Sequence, residues 1–198
     1  HFAEKENWRK VFTISYALAA IGFMMKALPS VVFQGLSLIT VLIIKREFKR
    51  FWSFTHILSV FIFIIPIGIY LYVYNGQADI TRLARTLVVE SSSRTVTDKS
   101  LLESISHLFV FPLRYLLDIL PWGLAVFVLV RKDARSLIWG NPFLKTSLLL
   151  FLVNITIYWL SPDYRARYVF MLTPFLLIPC LYAVYILSTK QAWINAAR

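Results

Sequence analysis

Long apolar runs separated by short polar breaks make up most of this chain. Residues 11–25 and 31–44 are two such runs, interrupted by Lys26, Pro29 and Ser30, and the second ends at the basic stretch 45–50. Each has roughly 15 residues, where about 20 are needed to cross a hydrocarbon core. Flanking Trp8, Phe51, Trp52 and snorkelling lysines extend them toward the two interfaces, which predicts a helical hairpin. Residues 53–74 form a cleaner span, rich in Ile and Phe, with Pro66 and Gly68 inside it and Tyr70, Tyr72 and Tyr74 as an aromatic belt. Asn75 and Gly76 are a stop signal.

The pattern turns polar over residues 77–106, where Arg82, Arg85, Arg94 and Lys99 offset Asp79, Glu90, Asp98 and Glu103. Within that loop Ile80, Leu83, Leu87 and Val88 recur at helical spacing, predicting a short amphipathic helix on the membrane surface. Residues 107–130 read as the next span, carrying Pro112, Arg114, Asp118, Pro121 and Trp122 and ending at the basic stretch 131–135. Arg114 and Asp118 are one helical turn apart and can pair. Residues 143–160 and 168–187 are the last two runs, joined by a polar hinge that holds Ser161, Pro162, Asp163, Arg165, Arg167 and Tyr168. The expected fold class is all-α: a polytopic integral membrane protein of about six transmembrane helices, with one long loop.

Composition supports the membrane assignment: 59% of residues are hydrophobic and 16% charged, too apolar for a solvated surface. The net charge of +11 would suit nucleic acid, but the cations are parcelled between apolar runs and form no single basic face, so no nucleic-acid partner is expected. Alternating six spans puts the basic stretches 45–50 and 131–135 on the inner side, as the positive-inside rule requires. Lys26, the 77–106 loop, His107 and the Arg165/Arg167 hinge then share the outer face. The chain opens on a charged segment without a signal-peptide pattern, and is expected to be one transmembrane module, residues 1–198, of a longer membrane protein.

That outer face gathers cations suited to a phosphate-bearing lipid: arginine offers a planar fork for phosphate oxygens and lysine a compact charge. Two readings of Arg165 and Arg167 stand side by side, a phosphate contact and simple snorkelling at helix ends. Lys26 is either a turn lysine or a polar contact in a cavity, since a charge inside an apolar run is costly. Glu90 and Arg94 are one turn apart, so an intrahelical salt bridge is the alternative to a binding role. His107 has no Cys or second His at metal-ligand spacing, so no metal or other cofactor is indicated. His56, near the basic end, reads as structural. The single Cys180 excludes an intrachain disulfide and reads as a packing residue. Gly-rich phosphate loops, nucleophile elbows and zinc-protease motifs are missing from the sequence.

The order of these features resembles the C-terminal part of the transmembrane region of GT-C class glycosyltransferases, in the branch containing lipid A aminoarabinose transferase and the bacterial protein mannosyltransferase-like enzymes. The family's Leu-Thr-Lys-Gly-Pro helix break looks like the stretch from Gly22 to Lys26 and Pro29, and its later proline and tyrosine are similar to Pro66 and Tyr70. An acid-to-arginine step resembles Glu90 and Arg94, and the following series resembles His107, Pro112, Tyr115, Pro121 and Trp122. Ser161, Arg165, Arg167, Tyr168 and Pro174 are similar to the family's closing motif.

The resemblance implies a glycosyltransferase that moves a sugar from a polyprenyl phosphate carrier to a lipid, glycan or protein acceptor at the outer face of a bacterial inner membrane. It implies lipid-phosphate or substrate contacts at Lys26, Glu90, Arg94, His107, Arg165, Arg167 and Tyr168. It also implies that the catalytic acid belongs to a region before His1, so this stretch alone is expected to be inert, and it leaves room for a divalent metal in the intact parent. The rival readings are a transporter or flippase-like module, whose basic residues would line a substrate path, and an oligosaccharide polymerase or ligase.

Overall fold

The computed structural model describes residues 7–26, 28–76, 79, 81, 85, 86, 89, 101–160 and 169–196, with the backbone alone at 26, 101–105 and 190–196. Among them every regular element is helical, and no strand occurs. The chain divides into two compact units, His1–Val96 and Thr97–Arg198.

The first unit is built on three helices: α1 (Trp8–Lys26), α2 (Leu28–Ile44) and α3 (Phe54–Asn75), with a 3-10 turn at Phe48–Trp52 before α3. Helix α1 is the centre, packing against both α2 and α3. Its core is Trp8, Phe12, Leu38 and Leu42, with Val11, Tyr16, Val41 and Phe51 against it. The expected hairpin forms, and it closes on small residues. A Cβ placed on Gly22 would stand 2.8 Å from the Cβ of Ser30, so glycine lets α1 and α2 approach where any side chain would force them apart. The Ser30 hydroxyl donates to the Ala19 carbonyl at 3.5 Å across the same contact.

Helix α2 ends in a Schellman motif: the Glu47 amide donates to the Leu42 carbonyl at 2.9 Å and the Arg46 amide to the Ile43 carbonyl at 3.0 Å. The left-handed residue that this motif needs is Arg46, with φ of 56°, where glycine is usual. Ser53 caps α3, its hydroxyl accepting from the His56 amide at 3.3 Å. The helix stops at Asn75 with Gly76 as its cap, as the stop signal predicted.

The second unit holds α4 (Leu101–Asp118), a 3-10 segment (Trp122–Val130), α5 (Lys132–Gly140), α6 (Pro142–Leu160), a 3-10 turn (Phe170–Leu172) and α7 (Thr173–Ala196). Asn141 starts α6, its side-chain oxygen accepting from the Phe143 and Leu144 amides at 3.0 and 3.3 Å, with Pro142 in the first helical position. A buried stripe on α6, Leu144, Ser147, Leu148, Phe151, Asn154 and Ile155, meets Leu176, Cys180 and Ala183 of α7. Cys180 is fully buried there, the packing role read from the sequence.

Two differences from the expected pattern stand out in this unit. The single span over 107–130 is broken: α4 ends at Asp118, residues 119–121 form a turn with a cis Leu120–Pro121 bond, and the rest is 3-10 helix. Proline supplies no amide to the helical ladder and disfavours the α conformation of the residue before it, which accounts for the stop. The basic stretch 131–135 is not a plain loop either. It runs into α5, which buries Ala134 and Ile138 and turns Lys132, Arg135 and Trp139 outward.

Among the described residues three helices are long and apolar enough to cross a membrane: Phe54–Asn75, Pro142–Leu160 and Phe170–Thr189. Leu28–Ile44 is a shorter apolar helix. These helices mark the chain as membrane-associated. The amphipathic surface helix expected from Ile80, Leu83, Leu87 and Val88 lies outside the described residues.

Candidate functional site

His107 is the one member of the expected site whose side chain falls among the described residues. It is half-buried on α4, and its Nε2 stands 3.4 Å from the carbonyl oxygen of Tyr158, near the end of α6. A neutral imidazole donates to a carbonyl through its N–H, so this contact selects the tautomer protonated on Nε2. The neighbouring residues repeat the link in the opposite sense: the Trp159 indole N–H donates to the Leu108 carbonyl at 2.8 Å. Residues 107 and 108 are thereby pinned to the last turn of α6, directly before the hinge 161–168.

From His107 a row of rings runs down one face of α4 at four-residue spacing. The His107 ring lies 5.4 Å from Phe111, and Phe111 lies 6.4 Å from Tyr115, centroid to centroid. Tyr115 is buried, stacks on Phe151 of α6 at 5.8 Å, and shares a 3.1 Å hydrogen bond with the Thr173 hydroxyl at the start of α7. The Ser147 hydroxyl donates to the Phe175 carbonyl at 3.0 Å, tying α6 to α7. His107 therefore stands at the head of a seam that fastens three helices. With its Nε2 proton given to Tyr158, the ring presents Nδ1 as an acceptor at a fixed position.

Glu90, Arg94, Arg165, Arg167 and Tyr168 lie outside the described residues, as does the side chain of Lys26, whose backbone ends α1. Of the remaining sequence motifs, Pro112 and Tyr115 are on α4, and Pro121 and Trp122 are at the break that follows it. Arg114 and Asp118 occupy exposed positions of α4.

A second polar pair had no sequence signal. In the first unit the Tyr16 hydroxyl stands 2.7 Å from Nε2 of His56, although the two are 40 residues apart. His56 is 5% exposed and walled by the rings of Phe12 and Phe51, at 4.8 and 4.6 Å. That setting agrees with the structural role read for His56: a buried imidazole with a partner and three aromatic neighbours. No spacing rule connects positions on two different helices, so the pair was not legible beforehand. Among the described residues no group of His, Cys, Asp or Glu is arranged to hold a metal ion. No protein family, curated protein or solved structure matches this chain.

Proposed function

We propose that this chain is the later transmembrane portion of a membrane glycosyltransferase that takes a sugar from a polyprenyl phosphate carrier and passes it to a lipid, glycan or protein acceptor. The observation that carries the reading is the attachment of His107 to the last turn of α6. It sets an imidazole at the last turn of α6, the helix that precedes in sequence the segment holding Arg165, Arg167 and Tyr168. Guanidinium groups suit a phosphate that gains charge as the glycosidic bond breaks, and His107 fastens the turn of α6 from which the segment carrying them continues. The resemblance adds Lys26, Glu90 and Arg94 as proposed lipid-phosphate or substrate contacts, and the distribution of Lys and Arg supports the outer side of a bacterial inner membrane for the transfer. The acid that activates the acceptor is expected outside this stretch.

The transporter or flippase-like reading keeps one observation of its own. The break at residues 119–121, within an apolar run, is the kind of interrupted helix on which transporters build substrate sites.

Binding of radiolabelled polyprenyl phosphate to the purified chain in detergent tests the proposal, with Arg94→Ala, Arg165→Ala, Lys26→Ala and His107→Ala compared against wild type after folding is checked. The expected result is binding by wild type and a loss of tenfold or more, about 1.4 kcal/mol, in at least one arginine variant. Equal binding by all variants, or none by wild type, removes the carrier-phosphate site and moves the transporter reading ahead.

A further inference from the structure

The turn between α2 and α3 carries an arrangement that the glycosyl-transfer proposal does not use. Arg50 is committed within the protein: its guanidinium donates to both carboxylate oxygens of Glu47, at 3.0 and 3.3 Å, and lies 5.4 Å from the centre of the Trp8 ring. Trp8 is itself buried in the core of the first unit, so Arg50 and Glu47 fix the shape of the turn and hold it against the start of α1. Arg9 and Lys10 follow Trp8 on exposed positions and so join the same end of the unit.

The other cations of the turn face outward. Arg46 and Lys49 are exposed and Lys45 is half-buried. Among them stand three exposed aromatic rings: Phe48, Trp52 at 75% exposure and Phe54 at 78%. Exposed aromatics interleaved with cations suit the headgroup layer of a bilayer, where rings enter the acyl boundary and cations meet phosphate.

Arg46 adds an independent pointer. It occupies the left-handed position of the Schellman motif, with φ of 56°, where a side chain is disfavoured and glycine is the usual solution. Non-glycine residues held in strained backbone conformations concentrate at ligand sites. Here the guanidinium is exposed just past the end of the apolar helix α2, with Lys45 beside it and Lys49 three residues on.

We propose that this turn is a binding site for the phosphate of an anionic phospholipid, with Arg46 as its principal ligand, Lys45 and Lys49 as flanking cations, and Phe48, Trp52 and Phe54 seated at the glycerol and acyl boundary. The site rests on the membrane association of the helices and is independent of the carrier-lipid proposal, whose residues are others. A zwitterionic headgroup offers the same phosphate but adds a choline cation that the lysines and Arg46 repel, so the site discriminates by net charge.

The test uses the whole chain in a neutral detergent, titrated with phosphatidylglycerol, with phosphatidylcholine or with inorganic phosphate. The readouts are the thermal transition by tryptophan fluorescence and bound lipid by native mass spectrometry. Phosphatidylglycerol is expected to bind and raise the transition, and the other two are not. Arg46→Gly is the informative variant because it removes the guanidinium while relieving the backbone. It is expected to melt no lower than wild type without lipid, yet to bind phosphatidylglycerol roughly fivefold more weakly. The Lys45→Gln, Lys49→Gln double variant weakens binding further and leaves the Schellman motif untouched. Unchanged phosphatidylglycerol affinity in both variants overturns the proposal. Equal protection by phosphatidylcholine overturns the charge selectivity, and equal protection by inorganic phosphate reduces the site to a general anion site and overturns the lipid assignment.

Discussion

The two units of the chain solve one problem with different chemistry. Helices in a bilayer gain little from hydrophobic burial against one another, so they associate by close packing and by hydrogen bonds between helices. The His1–Val96 unit leans mainly on packing, supplemented by the Ser30–Ala19 and Tyr16–His56 hydrogen bonds between helices. Gly22 and Ser30 bring two helices into contact, and the rings of Trp8, Phe12, Phe51 and His56 crowd the start of α1. The Thr97–Arg198 unit leans on polar fasteners, with side chains of His107, Trp159, Tyr115 and Ser147 each reaching another helix. Close packing fails when volume is added, whereas a fastener fails when an atom is removed.

The largest expected effect tests whether the second unit also has a point of close packing. A Cβ on Gly123 would lie 2.5 Å from the Leu116 carbonyl oxygen, a backbone atom that cannot swing aside. Gly123→Val is expected to destabilise by about 3 kcal/mol, seen as early unfolding or aggregation on a thermal ramp in detergent. Normal melting of that variant would show that the packing of the 3-10 segment on α4 does not hold the unit together.

A pair of tyrosine deletions sharpens the contrast. Tyr16→Phe leaves Nε2 of the buried His56 without its hydroxyl partner and is expected to cost about 2 kcal/mol. Tyr115→Phe removes the bond to Thr173, whose hydroxyl can turn to a backbone carbonyl of its own region, and is expected to cost about 1 kcal/mol. Melting temperatures of the two variants under identical conditions measure the difference, and a reversed order would place the more demanding polar contact in the second unit. Gly22→Ala should destabilise by about 1 kcal/mol, and Ser30→Gly in the same chain should restore much of it, because the clash is between two Cβ atoms. Additive losses in that double-mutant cycle would mean that α1 and α2 do not touch at this point.

The parts of the fold that were legible in the sequence are those written in local pattern. The run 53–74 with Asn75 and Gly76 after it became α3 almost residue for residue, and the run 143–160 became α6, which starts one residue earlier at Pro142. The break after Asp118 was hidden because Ile119, Leu120 and the residues from Trp122 to Val130 are as apolar as a continuous span; only Pro121 announced it. Helix α5 was hidden by its charge, since five residues of basic stretch masked the spacing of Ala134 and Ile138. At the candidate site, the sequence brought His107 forward on its own, but its attachment to Tyr158 spans 51 residues, and no periodicity reaches that far. The Tyr16–His56 pair was hidden for the same reason. Glu90, Arg94, Arg165, Arg167 and Tyr168 rest on the sequence pattern alone.

The 3-10 segment Trp122–Val130 has one further consequence. Three residues per turn stack every third side chain directly above the last, so the segment has three straight edges and its stripes do not drift around the axis. Leu124, Phe127 and Val130 form one such edge, all exposed, while Gly123 begins another that faces inward. The segment therefore counts in threes. An insertion of three residues would lengthen it and keep every edge in place. An insertion of four, which an α-helix absorbs with little rotation, would turn α5 by a third of a circle relative to α4.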